Sequence, residues 1–516
     1  SLALIEEALA QGMLNRVVVA GCPSRLYHSQ FQELMRKAGL PPHFLERVNI
    51  REGCAWVHRD DPQAATAKAR ELTAMAVANV EGLTATSLSP VASVEVDSEA
   101  LVIGGGLAGM TAALDLSRLG HPVHLVEREG ELGGNLRHVH YTLEGGDPQA
   151  LLRSLIERVG TEELIHVYLG AEVNKIEGNG GSYRALLSLA SGEEKELNFG
   201  VVIVATGGQE AETEEYLYGR DPRVVTQREL EALLAKGEVQ GVGSVVMIQC
   251  VGSREEERPY CSRFCCSQAV KNALKIKELH PKADVFILYQ EVRTYGFREQ
   301  YYQEARDKGV IFIRYELPHK PKVFQSVEAG QGEGDRLRVE IADPILGREL
   351  TLDADLLVLS LGVVPNDNRA LAGVLGVPLN EDGFFEEDHS KMRPLDFTAS
   401  GFYLCGLAHS PRAIDETVSQ AHGAAMRAAA FLSQRRLYGK EVAVTVNRRL
   451  CSGCGLCVAI CPYGARVMNE EEWIAEVIDV LCQGCGACVV ACPNKATQQR
   501  AFESGQMLAV VDAALG

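Results

Sequence analysis

Ala100-Leu101-Val102-Ile103-Gly104-Gly105-Gly106-Leu107-Ala108-Gly109 is the stretch that decides the fold of this chain. Four apolar residues read as a buried strand, the glycines as a tight turn, and Met110 to Leu119 as a helix. A second strand, Val123-His124-Leu125-Val126, ends in Glu127, 18 residues past Gly109. This is G-x-G-x-x-G between a strand and a helix, with an acid in register. Gly104 permits the tight turn, Gly106 lets a pyrophosphate approach the backbone, and Gly109 lets the helix pack close to the strand. The helix N-terminus then faces the phosphates, and Glu127 can accept from ribose hydroxyls. A mere packing turn would need neither the second strand nor Glu127, so the stretch reads as a dinucleotide site.

Further segments work outward from it. Glu127-Arg128 with Leu132-Gly133-Gly134-Asn135 resembles the segment after the second strand in two-dinucleotide-binding flavoproteins. Val201-Val202-Ile203-Val204-Ala205-Thr206-Gly207-Gly208 resembles their returning strand and Ala-Thr-Gly turn. Phe402-Tyr403-Leu404-Cys405-Gly406 precedes a helix expected near Asp415, where such proteins close over the flavin and ribityl chain. The resemblance implies FAD. The candidate cofactor-binding residues are Gly104, Gly106, Leu107, Ala108, Gly109, Glu127, Arg128, Gly134, Asn135, Val173, Ala205, Thr206, Gly207, Gly406 and Ile414. A flavin enzyme reduced by NAD(P)H in this fold carries a second glycine motif after a later strand. Here that strand, Gly243 to Gln249, leads instead into Cys250-Val251-Gly252-Ser253-Arg254. Direct reduction by NAD(P)H is therefore not expected.

Composition bounds the rest. The chain has 516 residues, 46% hydrophobic and 23% charged, enough for three or four globular domains. A formal charge of −18 argues against nucleic acid and against an anionic membrane surface. No run of about 18 apolar residues predicts a membrane span, and no signal segment opens the chain. The 15 cysteines are clustered in a chain large enough to build a core, which favours reduced metal-ligating thiols and a cytoplasmic location over a disulfide framework.

Residues 1–80 read as an α/β domain that opens on a helical pattern (Leu2, Ile5, Leu9), as if lacking its first strand. Residues 81–98 read as a Ser/Thr/Gly-rich linker and 99–440 as an α/β FAD domain with a largely parallel sheet. The second nucleotide subdomain, about 240–350, is the one altered by cysteine. Residues 441–516 hold two cysteine-dense blocks.

Those blocks read Cys451-x2-Cys454-x2-Cys457-x3-Cys461-Pro462 and Cys482-x2-Cys485-x2-Cys488-x3-Cys492-Pro493. This is the spacing of a bacterial two-cluster ferredoxin, in which the fourth cysteine of each block serves the other cluster. One [4Fe–4S] cluster is assigned to Cys451, Cys454, Cys457 and Cys492, the other to Cys482, Cys485, Cys488 and Cys461. A zinc ribbon would show two pairs with a wide gap. Cys250, Cys261, Cys265 and Cys266 are open between a cluster cage of uncommon spacing, a redox disulfide and inert thiols. Cys261 and Cys265 would share a face if the following helix began at Cys261. Cys22 and Cys54 are too few to hold a cluster alone, and Cys405 reads as core.

Taken together the sequence resembles the FAD and iron–sulfur subunit of heterodisulfide reductase, its A-subunit. The resemblance is carried by Val17-Val18-Val19-Ala20-Gly21-Cys22-Pro23-Ser24-Arg25, Val48-Asn49-Ile50-Arg51-Glu52-Gly53-Cys54-Ala55-Trp56-Val57-His58, Cys250-Val251-Gly252-Ser253-Arg254 and Pro259-Tyr260-Cys261-Ser262-Arg263-Phe264-Cys265-Cys266. It implies that Cys250, Cys261, Cys265 and Cys266 hold a third cluster beside the flavin and that Lys271 lies near the reactive edge of the isoalloxazine. It also implies an electron-transfer role within a complex. Electrons would be relayed or bifurcated between a two-electron donor subunit, ferredoxin and a disulfide-reducing or other acceptor, with a homodimeric core. The family's members begin about 60 residues earlier with further cysteines, and methanogen members insert a ferredoxin domain after the Gly133-Gly134 segment. Residues 136–200 carry no cysteine here. The rival readings are an NAD(P)H-dependent iron–sulfur flavoprotein similar to the glutamate synthase small subunit, a flavoprotein subunit of a quinone-interacting complex, and a scaffold with a vestigial flavin.

Overall fold

The computed structural model describes residues 2–83, 93–325, 336–439 and 442–516. By contact the chain divides into two compact units, Asp97–Arg435 and a discontinuous one made of Ser1–Val96 with Arg436–Gly516.

The Asp97–Arg435 unit is built on two five-stranded parallel sheets. The first has the order Phe402–Leu404, Val201–Val204, Ala100–Ile103, Val123–Glu127, Ile165–Leu169. Ala100–Ile103 and Val201–Val204 are apolar at every position because both their faces are covered. The helices Leu107–Arg118 and Ile414–Leu432 pack against each other. Small residues such as Ala112, Ala421 and Ala425 are completely buried, and small side chains let helices approach. The second sheet has the order Val224–Thr226, Leu356–Leu359, Ser244–Ile248, Asp284–Tyr289, Val310–Arg314. An antiparallel pair, Gly208–Glu210 with Val363–Pro365, joins the two sheet systems. This is the two-dinucleotide-binding α/β architecture that the resemblance to such flavoproteins implies.

Within this unit the helix of the glycine stretch starts at Leu107, a turn earlier than the sequence suggests. The helix that carries the clustered thiols starts at Cys265, so Cys261 lies in the preceding loop and shares no helix face with Cys265. Arg263, at φ 65, breaks the helical path between them. Tyr260 donates to the Val363 carbonyl and Ser262 accepts from the Val363 amide, fastening that loop to the joining strand pair.

In the other unit, parallel strands Val17–Gly21 and Leu45–Asn49 pack with the helices Leu2–Ala10, His28–Lys37 and Pro62–Glu81 around Leu9, Met35, Phe44 and Val80. Its cysteine-rich part has two antiparallel pairs, Val444–Val446 with Thr497–Gln499 and Arg466–Asn469 with Ile474–Val477. The last helix, Ser504–Leu515, packs on Pro62–Glu81, where Gln506 donates to the Asn79 side chain at 2.7 Å and its carbonyl at 3.1 Å. Part of the stretch read as a linker is ordered structure: Ser93–Glu95 pairs antiparallel with Arg436–Tyr438. Residues 84–92 of that stretch lie outside the described residues.

Candidate functional site

The glycine stretch folds as its chemistry requires. Gly104 has φ 112, and a Cβ there would overlap the Ala205 carbonyl; a Cβ on Gly109 would overlap the Gly104 carbonyl. Gly106 differs, because a Cβ there meets nothing within 4 Å. Its missing side chain is room for a ligand rather than for the protein. Glu127 reaches back into the loop, its Oε2 accepting from the Gly105 amide at 2.6 Å and its Oε1 from Glu129 at 2.8 Å. Asn135 donates to the Gly208 carbonyl at 2.6 Å, and Asn366 to the Thr206 carbonyl at 2.7 Å. These bonds set the walls of a cleft of about 450 Å³.

Gly104, Gly106, Leu107, Ala108, Glu127, Arg128, Gly134, Asn135, Ala205, Thr206, Gly207, Ile414 and Lys271 all line this cleft. Three of the candidate binding residues do not. Gly109 lies beneath the loop, and Gly406 sits beside the lining residue Leu407, its absent Cβ leaving room for Ala108. Val173, on the strand Ala171–Asn179, packs against the hydrophobic core. Two helix N-termini, at Leu107 and Ile414, open onto the cleft and supply the amide dipoles that phosphate and flavin oxygens seek. The open cradle at Gly106 and these paired N-termini fit a dinucleotide of the FAD type.

The cleft also holds ionisable groups that the sequence did not single out, the first of them Glu231, the partner of Lys271. Lys271 Nζ lies 2.8 Å from Glu231 Oε2 and donates to the Tyr141 carbonyl at 2.7 Å. The Lys271 side chain is 9% exposed and that of Glu231 only 1%, so this pair is desolvated. Burial lowers the Lys271 pKa, and Glu231 opposes that shift. Glu231 Oε1 accepts from the His140 amide at 2.7 Å. A signal for Glu231 was present: it is an acid next to Leu230 on an amphipathic helix, Gln227–Lys236, whose buried face it shares. Glu210 is another lining carboxyl, pushed up to about 7 by burial, with Arg228 pulling the other way. Arg412 lines the cleft too; it donates to His409 Nδ1 at 2.9 Å, and Nε2 of that ring pairs with Glu387 at 2.8 Å.

The four clustered thiols meet at the end of the strand Ser244–Ile248. Cys250 is held in the left-handed region at φ 60, and Cys265 and Cys266 open the helix Cys265–Leu279. Burial pushes the Cys250 thiol up to about 12, and Cys266 and Cys261 add to the rise. Cys265 is raised by burial and then by all three of its neighbours. Arg254 works in the other direction on Cys250 and Cys266, and Arg293 does so on Cys266 while bonding to Cys261. Four neighbouring thiols, Cys266 buried and the other three half-buried, flanked by two guanidiniums fit a polynuclear metal centre, whose irons would supply the positive charge that four thiolates need.

In the C-terminal part, Cys451, Cys454, Cys457 and Cys492 line one small cavity of about 20 Å³. These are the four cysteines assigned to the first cluster. Ala496 N–H donates to the Cys492 sulfur at 3.2 Å and Arg466 to the Cys457 sulfur at 3.3 Å. Cys482, Cys461 and Cys457 all act electrostatically on Cys488. Among the described residues no three His, Cys, Asp or Glu side chains converge tightly enough for a single metal ion. Cys54 and Cys405 are buried, and Cys22 is half-buried. Among the described residues no helix is long and apolar enough to cross a membrane.

Residues 98–232 match the pyridine nucleotide-disulphide oxidoreductase family and residues 443–493 a 4Fe-4S dicluster domain. Thioredoxin reductase from T. acidophilum aligns with 64% of this chain and 97% of its own at 18% identity and a TM-score of 0.45. That of Lactococcus lactis aligns with 65% and 99% at 19% identity and a TM-score of 0.44. The first of two iron-sulfur A-subunits of CoB–CoM heterodisulfide reductase in Methanopyrus kandleri is 34% identical over 99% of this chain and 90% of its own length. The corresponding A-subunit of Methanocaldococcus jannaschii is 34% identical over 99% and 91%. The A-subunit of the H(2):CoB-CoM heterodisulfide,ferredoxin reductase of Methanothermobacter marburgensis is 32% identical over 99% and 90%. The chain, an oxidoreductase with FAD and iron–sulfur domains, belongs to the heterodisulfide reductase A-subunit family.

Proposed function

We propose that this chain is the central electron-distributing subunit of a cytoplasmic heterodisulfide-reductase-like complex. It serves a two-electron donor subunit on one side and ferredoxin and a disulfide or other acceptor on the other, around a homodimeric core. FAD supplies the exchange between two-electron and one-electron chemistry, and three [4Fe–4S] clusters supply one-electron storage. Flavin-based bifurcation is the mode in which one electron leaves uphill and the other downhill.

A single observation carries this reading. The helix Cys265–Leu279 opens on two of the clustered thiols, and Ser267, Gln268 and Lys271 further along it line the flavin cleft. The thiols therefore sit beside residues that line the cleft, where the second glycine motif of an NAD(P)H-reduced flavoprotein would stand. The residues of the chain have separable tasks. Gly106 and the N-termini at Leu107 and Ile414 seat the phosphates and flavin oxygens. Lys271, held by Glu231 and Tyr141, keeps a cation at the cleft wall. Arg254 and Arg293 offset the negative charge of the thiolates.

The test is an anaerobic spectral titration of the FAD- and cluster-loaded chain, first with NADH and NADPH and then with dithionite. Nicotinamide is expected to leave the flavin oxidised, while dithionite bleaches flavin and clusters. Stoichiometric reduction by NAD(P)H within seconds would make the chain a self-sufficient oxidoreductase of the glutamate-synthase type and end this reading.

A further inference from the structure

The hairpin between Arg466–Asn469 and Ile474–Val477 carries an exception to ordinary backbone rules. Trp473 sits at φ 55, in the left-handed region, where a Cβ is strained and glycine is at ease. The turn does not depend on the indole. The Asn469 side chain accepts from the Glu471 and Glu472 amides, both at 3.0 Å, and its carbonyl accepts from the Trp473 amide at 2.9 Å. Nor does packing hold the indole, since Trp473 is 72% exposed. A position suited to glycine thus carries the largest side chain and presents it to solvent.

Its placement suggests why. The Trp473 carbonyl lies so close to Gly453 that a Cβ on that glycine would overlap it, and Gly453 stands between Cys451 and Cys454. Cys454 is itself exposed, and Leu450, which leads into Cys451, is 46% exposed. Glu470 and Glu471 are exposed at the hairpin tip, while Glu472 pairs with Arg448. An exposed aromatic ringed by charge is the anatomy of a binding hot spot, and carboxylates on the rim select and steer a basic partner.

We propose that Trp473, with Glu470 and Glu471, is the docking point where a one-electron carrier protein with a basic face meets the cluster of Cys451, Cys454, Cys457 and Cys492. This rests on the reading that those cysteines hold a cluster. In each encounter one electron leaves the reduced cluster and lowers the carrier's metal centre by one oxidation state. A nucleic acid or anionic lipid would be repelled by the same glutamates.

The test uses the full chain, loaded with FAD and clusters, reduced anaerobically and mixed with ferric cytochrome c, a basic one-electron acceptor. Trp473→Gly relieves the backbone, so its thermal midpoint is expected to hold or rise. Its rate of electron transfer to cytochrome c at low salt is expected to fall about tenfold, with transfer to ferricyanide unchanged. Glu470→Gln with Glu471→Gln is expected to flatten the salt dependence of the cytochrome c rate. Native cytochrome c rates in Trp473→Gly would overturn the proposal. Absence of cluster absorbance and of ferricyanide reduction in the unsubstituted chain would overturn both the proposal and the reading beneath it.

Discussion

Lys271 and Glu231 meet with both side chains almost wholly buried, and that fixes what each substitution should do. Removing one partner of a desolvated pair leaves the other charge stranded, which costs about 3 kcal/mol or more. Replacing both with neutral groups of similar length removes the attraction and both desolvation penalties together. Glu231→Gln and Lys271→Met are therefore each expected to lower the stability of the chain by about 3 kcal/mol, and the double variant by clearly less than their sum. Denaturant unfolding of the four proteins measures the cycle, and simple additivity would show the pair to be uncoupled. The sign of the proton linkage follows from the same geometry. With Glu231 gone, only Glu144 still opposes the desolvation that lowers the Lys271 pKa, so the Gln variant sheds its lysine proton at lower pH than the parent chain does.

At the scale of elements, the strand–turn–helix around Gly104 shows that glycines alike in the motif act differently. Gly109 is needed by the protein itself, because its Cβ would strike the Gly104 carbonyl. Gly106 has open space, so the protein tolerates a methyl there and the ligand does not. Gly109→Ala is expected to lose about 1–3 kcal/mol of stability together with FAD binding. Gly106→Ala is expected to keep the apo-protein's unfolding midpoint and still lose FAD affinity. Calorimetry of both apo-proteins beside flavin titrations separates the cases; equal midpoints would mean that the first turn of the helix can shift at little cost. Such local demands were legible in the sequence, since a close approach within one turn depends only on its neighbours in the chain. The helix start at Leu107 rather than Met110 was less legible, because the turn glycines mask the onset of periodicity. Whether the helix reached back to Cys261 was open in the sequence for a further reason: its loop is fastened by Tyr260 and Ser262 to Val363, about a hundred residues onward in the chain. Glu231 went unread for the same physical reason, as its partner Lys271 comes from a different helix.

Over the whole molecule the sequence reads as consecutive blocks, whereas contact joins the first and last of them. The join is made by Ser504–Leu515 lying on Pro62–Glu81 and by Ser93–Glu95 pairing with Arg436–Tyr438. Neither leaves a mark in composition, since a helix that buries one face on a distant helix looks like any amphipathic helix. The strand pairing has a consequence for the flavin-binding unit. Glu95 stands opposite Arg436, so the chain leaves for Asp97–Arg435 and returns from it at one place. A unit whose ends lie together, with its own buried cores around Phe199 and Met247, satisfies the conditions for folding alone. Residues 97–435 produced by themselves are expected to be monodisperse and to bind FAD. They should retain a single iron–sulfur signal from Cys250, Cys261, Cys265 and Cys266, with the ferredoxin-type signals lost. Iron and flavin content by elemental and absorbance measurement decides it. A fragment with flavin but no iron would return those four thiols to the inert or disulfide readings, and the electron path would then have to leave the flavin without a cluster in its own unit.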